Sequence, residues 1–279
     1  MPKRLEDLIT KEELEKIITM YKNGVSLRQI EKETHHGRPN ISRMLQRLNV
    51  KFENDGHENH PTQYKFDDSF FERIDNGLKA YWLGFMYADG SIIHEDGRQD
   101  RLKLVLAQED EEILLHFKND LKSEYPIRYD TSKNQKNSNH QIQVICCYTS
   151  QKACDDLQNL GCTYNKSLTL EFPTEEQVPK QFIYDFIRGY FDGDGSISEC
   201  NNNYTLSFVG TENFIKTLST YFTGGSVLQD KRKINSWYYN LGGNLQVLKA
   251  YHLLYDNADR FMQRKYNKFQ VLSEKYNES

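Results

Sequence analysis

Two stretches of the chain are near-copies of each other: YWLGFMYADGSI at residues 81–92 and FIRGYFDGDGSI at residues 186–197. They align without gaps and share a final Asp-Gly-Ser-Ile. The residues that precede each of these Asp residues are apolar on most faces, which is typical of a buried helix. A sequence repeated in this way indicates two equivalent structural units in one chain.

A glycine lies in the middle of each predicted helix, Gly84 in the first and Gly189 in the second. Glycine inside a helix costs roughly 1 kcal/mol relative to alanine. That cost is explained if two helix backbones approach each other closely at these positions. A second pair, Gly90 and Gly195, stands where a left-handed C-terminal cap is expected. We therefore predict two packed helices, each ending in such a cap.

Asp89 and Asp194 then lie at the C-terminal ends of the two packed helices. A carboxylate at this end faces the negative pole of the helix dipole, and here each carboxylate also faces the other. A divalent cation would turn this repulsion into a pair of ligands. One Asp-Gly pair is explained by turn formation alone, but its repetition on two buried helices favours a metal site.

The residues after each copy repeat as well. Strand-like stretches alternate with a helix, and each copy closes with helical segments that contain a lysine, Lys166 or Lys265. The predicted order is αββαββα, twice, in an α+β fold with pseudo-symmetric halves. The predicted elements are strand 102–106, helix 109–121, strands 127–130 and 141–148 in the first copy, and strand 204–209, helix 212–222, strands 227–233 and 237–241 in the second.

The first fifty residues predict a separate all-helical domain. Thr10 and Ser26 each begin a capping-box pattern, and Gly24 ends the first helix. Pro39, at a favoured first-turn position, opens a third helix. The residues of that helix predicted to face inward are Ile41, Met44, Leu45 and Leu48.

The outer face of the third helix is polar and rich in arginine. Three short helices with such a last helix match a helix-turn-helix, whose recognition helix enters the major groove of DNA. A small helical bundle with a solvated charged face is the alternative. The candidate DNA contacts on this helix are Arg38, Asn40, Arg43 and Arg47.

Four segments follow from these patterns: a helical domain at 1–50, a linker rich in turn formers at 51–66, a first half at 67–170 and a second half at 171–279. The net charge of −4 does not by itself indicate DNA binding. Residues 1–50, however, hold ten Lys and Arg against seven Asp and Glu. Net charge is a global sum, whereas binding responds to local fields.

No apolar run approaches the roughly 20 residues that a membrane helix requires, and the N-terminus lacks the apolar core of a signal peptide. The odd number of cysteines, five, argues against a disulfide framework. We therefore expect a cytoplasmic protein, bacterial or phage-encoded, without a membrane partner.

The two motifs, LGFMYADG at 83–90 and RGYFDGDG at 188–195, resemble those of single-chain LAGLIDADG homing endonucleases. The resemblance extends from about Asp67 to the C-terminus and includes VGT at 209–211 and the dipeptide Arg264-Lys265. It implies a monomer that cuts double-stranded DNA at a long, mostly asymmetric target. It also implies one cut per strand across the minor groove, leaving short 3′ overhangs.

The resemblance also implies roles for individual residues. Asp89 and Asp194 match the aspartates that bind Mg²⁺ (or Mn²⁺) in the family. Gln108, Lys166 and Lys265 match the glutamine and lysines that tune the metal-bound water.

Two positions depart from the family pattern. Gly210 stands where the second half would have its own glutamine, which implies a lopsided catalytic pocket. Tyr87 stands in place of the earlier aspartate of the first motif, a position that packs and caps.

The strands are expected to read the major groove. In the second strand of the first half, Arg101, Lys103 and Val105 alternate with leucines, so that the two sets face opposite sides. A solvated strand face is the alternative for each residue. The same parity and the last hairpin add Gln141, Gln143, Asn203, Thr205, Ser207, Lys231 and Lys233 as candidate DNA contacts.

Two other functions fit parts of the pattern. The first is a transcriptional regulator that keeps this scaffold and the helix-turn-helix but has lost cleavage. Its usual mark would be the loss of the motif carboxylates, and both are present. The second is an RNA maturase that assists intron splicing.

Overall fold

In a computed structural model, residues 4–23, 25, 27–48, 50, 64–130 and 142–277 are described. The chain divides into two compact units, Met1–Gln63 and Tyr64–Ser279. The smaller unit has three helices, α1 (Lys11–Lys22), α2 (Leu27–Thr34) and α3 (Arg38–Arg47). Their apolar faces meet in a core of Leu5, Ile17, Ile30, Ile41, Met44 and Leu45.

The helix ends of the smaller unit largely follow the sequence signals. The Thr10 side chain accepts a hydrogen bond from the Glu13 N–H at 3.2 Å, and Pro39 lies in the first turn of α3. The prediction for Leu48 is wrong: it is 41% exposed, because it follows the last residue of α3 as its C-cap. The predicted roles of Gly24 and Ser26 lie outside the described residues.

The larger unit contains the predicted αββαββα order twice. The first half has α4 (Gly77–Ala88), β1 (Gly90–Ile93), β2 (Arg101–Ala107), α5 (Glu111–Asp120), β3 (Arg128–Asp130), β4 (Gln143–Thr149) and α6 (Gln151–Asn159). The second half has α7 (Ile183–Asp194), β5 (Ser196–Cys200), β6 (Asn203–Gly210), α8 (Glu212–Ser219), β7 (Ser226–Gln229), β8 (Trp237–Gly242), α9 (Asn244–Tyr255) and α10 (Gln263–Asn277).

Each half builds one four-stranded antiparallel sheet, in the order β1-β2-β4-β3 and β5-β6-β8-β7. Burial alternates along β2 and β6, so that each sheet turns one face to the core and the other outward. The cores of the two halves are continuous in a single apolar cluster. The α+β, pseudo-symmetric fold predicted from the repeat is therefore confirmed.

Helices α4 and α7 pack against each other through their glycines. A Cβ atom added to Gly84 would lie 2.0 Å from the carbonyl oxygen of Phe186. One added to Gly189 would lie 1.9 Å from the carbonyl oxygen of Tyr81. Neither distance is possible for a carbon atom, so the close backbone approach predicted from these glycines is confirmed.

The glycines after the two motif aspartates serve a different purpose from the one predicted. Neither adopts a positive φ, and Gly195 is extended at φ −80° and ψ 163°. A Cβ there would lie 2.6 Å from the carbonyl oxygen of Phe191, and one on Gly90 would lie 2.6 Å from that of Met86. The prediction of left-handed caps is wrong, because these glycines provide space rather than backbone freedom.

The larger unit begins before the predicted end of the linker. The Phe66 ring lies 5.0 Å from that of Tyr148, and the Lys65 carbonyl accepts a hydrogen bond from the Glu124 N–H at 2.8 Å. Residues 64–66 therefore belong to the larger unit. Among the described helices, none combines the length and apolarity needed to cross a membrane.

Candidate active site

The two motif aspartates lie where helices α4 and α7 end. Asp89 is the C-cap of α4, and Asp194 is the last residue of α7. A Cβ added to Gly193 would lie 3.2 Å from a carboxylate oxygen of Asp89 and 2.3 Å from the Ala88 side chain. The two helix ends therefore touch, and the Asp89 carboxylate lies against the residue that precedes Asp194.

Their surroundings raise the pKa of both aspartates. Burial, and then the negative charge of Asp194, raise the pKa of Asp89 to about 6. Burial also raises the pKa of Asp194, although its side chain keeps solvent access through an adjoining pocket. The positive charges of Lys166 and Lys265 act in the opposite direction on both groups. The carboxylates thus form an electrostatically unfavourable pair that nearby lysines offset only in part.

Lys265 is buried against the end of α7. Its Nζ donates to the carbonyl oxygens of Phe191 at 2.7 Å, Asp192 at 2.8 Å, Gly193 at 3.1 Å and Gly195 at 2.6 Å. Burial lowers the pKa of this amine to about 8. Lys265 lies in the first turn of α10. Its amine binds the carbonyl groups at the end of α7 and so fixes the backbone that carries Asp194.

Lys166 has the corresponding position in the first half. Its Nζ donates to the carbonyl oxygens of Ala88, at 3.2 Å, and Gly90. Lys166 lies in a short 3₁₀ helix, Lys166–Leu168, whereas Lys265 lies in the α-helix α10, so each half has the predicted helical segment with a lysine. Both lysines nevertheless hold the backbone around a motif aspartate.

The position two residues before the last aspartate of the motif differs between the halves, as the sequence indicates. Asp192 is fully buried and accepts hydrogen bonds from the Tyr255 hydroxyl at 2.7 Å and the Met262 N–H at 2.8 Å. Tyr87 instead donates from its hydroxyl to the Leu160 carbonyl. Each side chain fastens its motif helix to a later segment of the same half, which agrees with a packing and capping role.

Counted from the strand registers, Gln108 does not correspond to Gly210. Gly90, the last residue of the first motif, lies opposite Leu104, and Gln108 follows Leu104 by four residues. The same count from the second motif leads to Glu212, and Gly210 lies two positions earlier on the inward face of β6. Only the strand registers distinguish an alignment of Gln108 with Gly210 from one with Glu212. Gln108 itself is exposed, directly after β2.

An open pocket of about 490 Å³ adjoins Asp194. Its walls come from the end of α4, the segment 166–170, the end of β6 and the turn 233–236. The pocket therefore places the carboxylate, the Lys166 amine and the β7–β8 turn around one space that a ligand can enter.

The two aspartates provide only part of a metal site. In the described part of the chain, no three or more His, Cys, Asp and Glu side chains cluster as metal ligands. Carboxylate oxygens are hard donors that suit Mg²⁺ or Mn²⁺, and Mg²⁺ in particular keeps several positions for water and substrate phosphate. The Asp194 carboxylate beside the open pocket, with Asp89 at the adjoining helix end, therefore fits a cation shared with a phosphodiester.

The outward faces of the sheets carry most of the predicted strand contacts. Arg101 and Lys103 face away from the core, and Arg101 is ion-paired with Glu95. The Ser207 hydroxyl donates to the Asn240 side chain at 2.6 Å, so it is already engaged within the sheet. Gln141 lies outside the described residues. Gln143, Asn203, Lys231 and Lys233 are exposed, and Thr205 is half-buried.

The four candidate contacts on α3 are exposed but not equally free. Arg47 donates two hydrogen bonds of 2.7 Å to the Glu6 carboxylate, and Arg38 lies 2.9 Å from that of Glu31. Arg43 makes no ion pair with the residues that the structure describes, and Asn40 is exposed. Arg43 and Asn40 are therefore the α3 side chains best placed for a new partner.

One feature near the site was not evident from the sequence. Arg264 donates to the Asp110 carboxylate at 2.7 and 3.0 Å, and Asp110 is buried. Asp110 follows Gln108 by two residues, and Arg264 precedes Lys265. The pair thus ties the segment after β2 of the first half to the helix that carries Lys265. No local signal connects two residues so far apart in the chain.

Neither a protein-family model nor a curated protein matches the sequence. Solved structures similar to the chain include I-SmaMI bound to an uncleaved DNA target with calcium ions, at 12% identity and a TM-score of 0.48, over 71% of this chain and 90% of that one. The I-LtrWI LAGLIDADG homing endonuclease bound to target DNA is 10% identical, with a TM-score of 0.47, and the match covers 76% of this chain and 92% of that one. I-GzeII, a LAGLIDADG homing endonuclease in complex with its DNA target, is 12% identical, with a TM-score of 0.45, and the match covers 71% of this chain and 89% of that one.

Proposed function

We propose that the chain is a site-specific endonuclease that hydrolyses phosphodiesters in double-stranded DNA, with Mg²⁺ or Mn²⁺ held by Asp89 and Asp194. The observation that carries this proposal is the pair of carboxylates at the touching ends of α4 and α7. Their surroundings raise the pKa of both, and for the partly buried Asp89 this has a cost in stability. A bound cation would remove that cost, which is the reason to expect one there.

Each residue near the carboxylates has a definable part in hydrolysis. A bound divalent cation would stabilise charge on the phosphate and acidify a water molecule. Lys166 and Lys265 keep the aspartates in position through the backbone carbonyls that they bind, and their charge offsets that of the carboxylates. Gln108, exposed after β2, would orient water or phosphate by hydrogen bonding.

The outward sheet faces support duplex DNA as the substrate. They are lined by polar and basic side chains that alternate with the core residues, a pattern suited to contacts with base edges. The halves differ in chemistry there, with Arg101 and Lys103 on one sheet and Thr205 and Ser207 on the other. We therefore expect an asymmetric target read by a monomer.

The smaller unit fits a second DNA contact. Its three helices have the order of a helix-turn-helix, and α3 exposes Asn40 and Arg43. An asparagine and an arginine on one helix are the side chains that recognise adenine and guanine edges in the major groove.

The test is Mg²⁺-dependent cleavage of a library of random DNA duplexes by the full chain. Asp89→Asn and Asp194→Asn should abolish cleavage and leave DNA binding largely intact, because the carboxylates hold metal rather than contact bases. Full cleavage by either variant would remove the metal assignment. Binding without cleavage by the unaltered chain would favour the regulator instead, and selective binding of intron RNA would favour the maturase.

A further inference from the structure

The turn between β7 and β8, residues 230–236, is firmly held for a surface turn. Asp230 is only 5% exposed, and its carboxylate accepts hydrogen bonds from the Arg232 N–H at 3.0 Å and the Tyr238 hydroxyl at 2.9 Å. The backbone closes on itself where the Asp230 N–H donates to the Ser236 carbonyl at 2.8 Å. The turn is thus ordered by its own residues.

Asn235 fastens the same turn to its surroundings. It adopts a left-handed conformation at φ 45°, and its side-chain amide donates to the Leu168 carbonyl at 2.8 Å. Its side-chain oxygen accepts a hydrogen bond from the Glu212 N–H at 3.2 Å. These bonds join the turn to the start of α8 and to the segment that follows Lys166.

This ordered turn displays an apolar side chain. Ile234 is 81% exposed, the highest value among the large hydrophobic residues that the structure describes. It lines the pocket that contains Asp194, together with Leu168, which is 52% exposed. Single exposed apolar residues are common on protein surfaces. An exposed isoleucine that an ordered turn holds beside the Asp194 pocket is better explained if a binding partner covers it.

We propose that Ile234 contacts the bases next to the phosphate that binds at Asp194, and so selects the base step at that cut. This inference rests on the function proposed above. The neighbouring Lys233 can neutralise a phosphate, but an isoleucine side chain gains nothing from one. Its burial is favourable when it moves out of water and packs against the edge of the stacked bases, as apolar side chains inserted into the minor groove do.

A wedge of this kind discriminates between sequences through the cost of unstacking. Pyrimidine–purine steps unstack and kink more easily than other steps. We therefore expect one of the two cuts to favour such a step. The other cut should not respond to Ile234, because the pocket lies beside Asp194 and takes its β-turn from the second half alone.

The test compares the full chain with Ile234→Ala and Ile234→Leu on randomised duplexes in Mg²⁺, and both cut ends of each product are sequenced. Leu245→Ala is the matched control, because Leu245 is 61% exposed on α9 and does not line the pocket. Ile234→Ala should flatten the base preference at one cut by ~10-fold, as expected for losing one apolar contact. Ile234→Leu should retain the preference.

The outcomes separate this inference from the proposed function. If the unaltered chain cuts and Ile234→Ala keeps its preference at both cuts, the inference is wrong and the endonuclease assignment stands. Equal loss at both cuts, or the same loss in Leu245→Ala, would also overturn the inference. If the unaltered chain cuts no duplex in the library, both are overturned.

Discussion

Replacing Asp89 with asparagine should make the metal-free protein more stable. Burial and the charge of Asp194 raise the pKa of Asp89 from 3.8 to about 6. An acid whose pKa is higher in the folded state destabilises that state once it ionises. Since one pKa unit corresponds to about 1.4 kcal/mol, the ionised carboxylate costs the fold about 3 kcal/mol above pH 6. An asparagine of the same shape carries no such cost.

The direction of the pH dependence follows from the raised pKa. Below about pH 4, Asp89 is protonated in both states, and the two proteins should be equally stable. Between about pH 4 and 6 the folded state binds more protons than the unfolded state, so the wild-type protein loses stability as the pH rises. Above that range Asp89→Asn should unfold at a temperature higher by about 5–10 °C.

Thermal unfolding followed by circular dichroism, from pH 4 to pH 8 and with and without excess Mg²⁺, measures both effects. Mg²⁺ should raise the Tm of the wild-type protein at pH 8 and leave that of Asp89→Asn nearly unchanged. Asp96→Asn, at a fully exposed carboxylate, is the control and should change neither quantity. A metal-free Asp89→Asn protein that is less stable than wild type at pH 8 would refute the reasoning.

Three further changes test other parts of the protein. Lys265→Met should slow cleavage roughly 10- to 100-fold. It should also move the acid limb of the pH–rate profile to higher pH, because the lysine lowers the pKa of Asp89. An unmoved limb would mean that the amine acts only through folding. Asp110→Ala leaves Arg264 without its partner and should lower the free energy of unfolding by about 1–3 kcal/mol in urea; no loss would show that the ion pair does not join the halves. Deletion of residues 1–50 should weaken DNA binding and flatten its salt dependence while cleavage persists, which fluorescence anisotropy across salt measures; unchanged binding would make the small unit a protein-interaction bundle.

The repeat made the helix pair and the strand order predictable. Gly84 and Gly189 can be interpreted from sequence because a mid-helix glycine is costly without a close neighbour. The alternation around Lys103 shows which strand face is outward, since side chains in a strand alternate strictly. These are local signals, and they fixed the positions of Asp89 and Asp194 at the ends of the two helices.

Features that depend on distant partners were not predictable. The position of Gly210 depends on strand register, and a shift of two residues leaves the inward and outward pattern unchanged. The partner of Arg47, Glu6, lies in another helical segment of the small unit and has no fixed spacing from it. Gly195 has the right place for a left-handed cap, but it is required because the Phe191 side chain packs where a Cβ atom would lie.

The close backbone contact that Gly84 and Gly189 each make with the opposite helix also fixes the spacing of α4 and α7. Because backbone touches backbone where these helices cross, α4 and α7 cannot separate or slide without losing that contact. If the chain cuts both strands as proposed, the distance between the two carboxylates, and with it the number of base pairs between the two cuts, is a constant of the protein core. Under the same proposal, changes on the sheet surfaces would redirect the chain to another DNA sequence, whereas the stagger of the broken ends would stay the same.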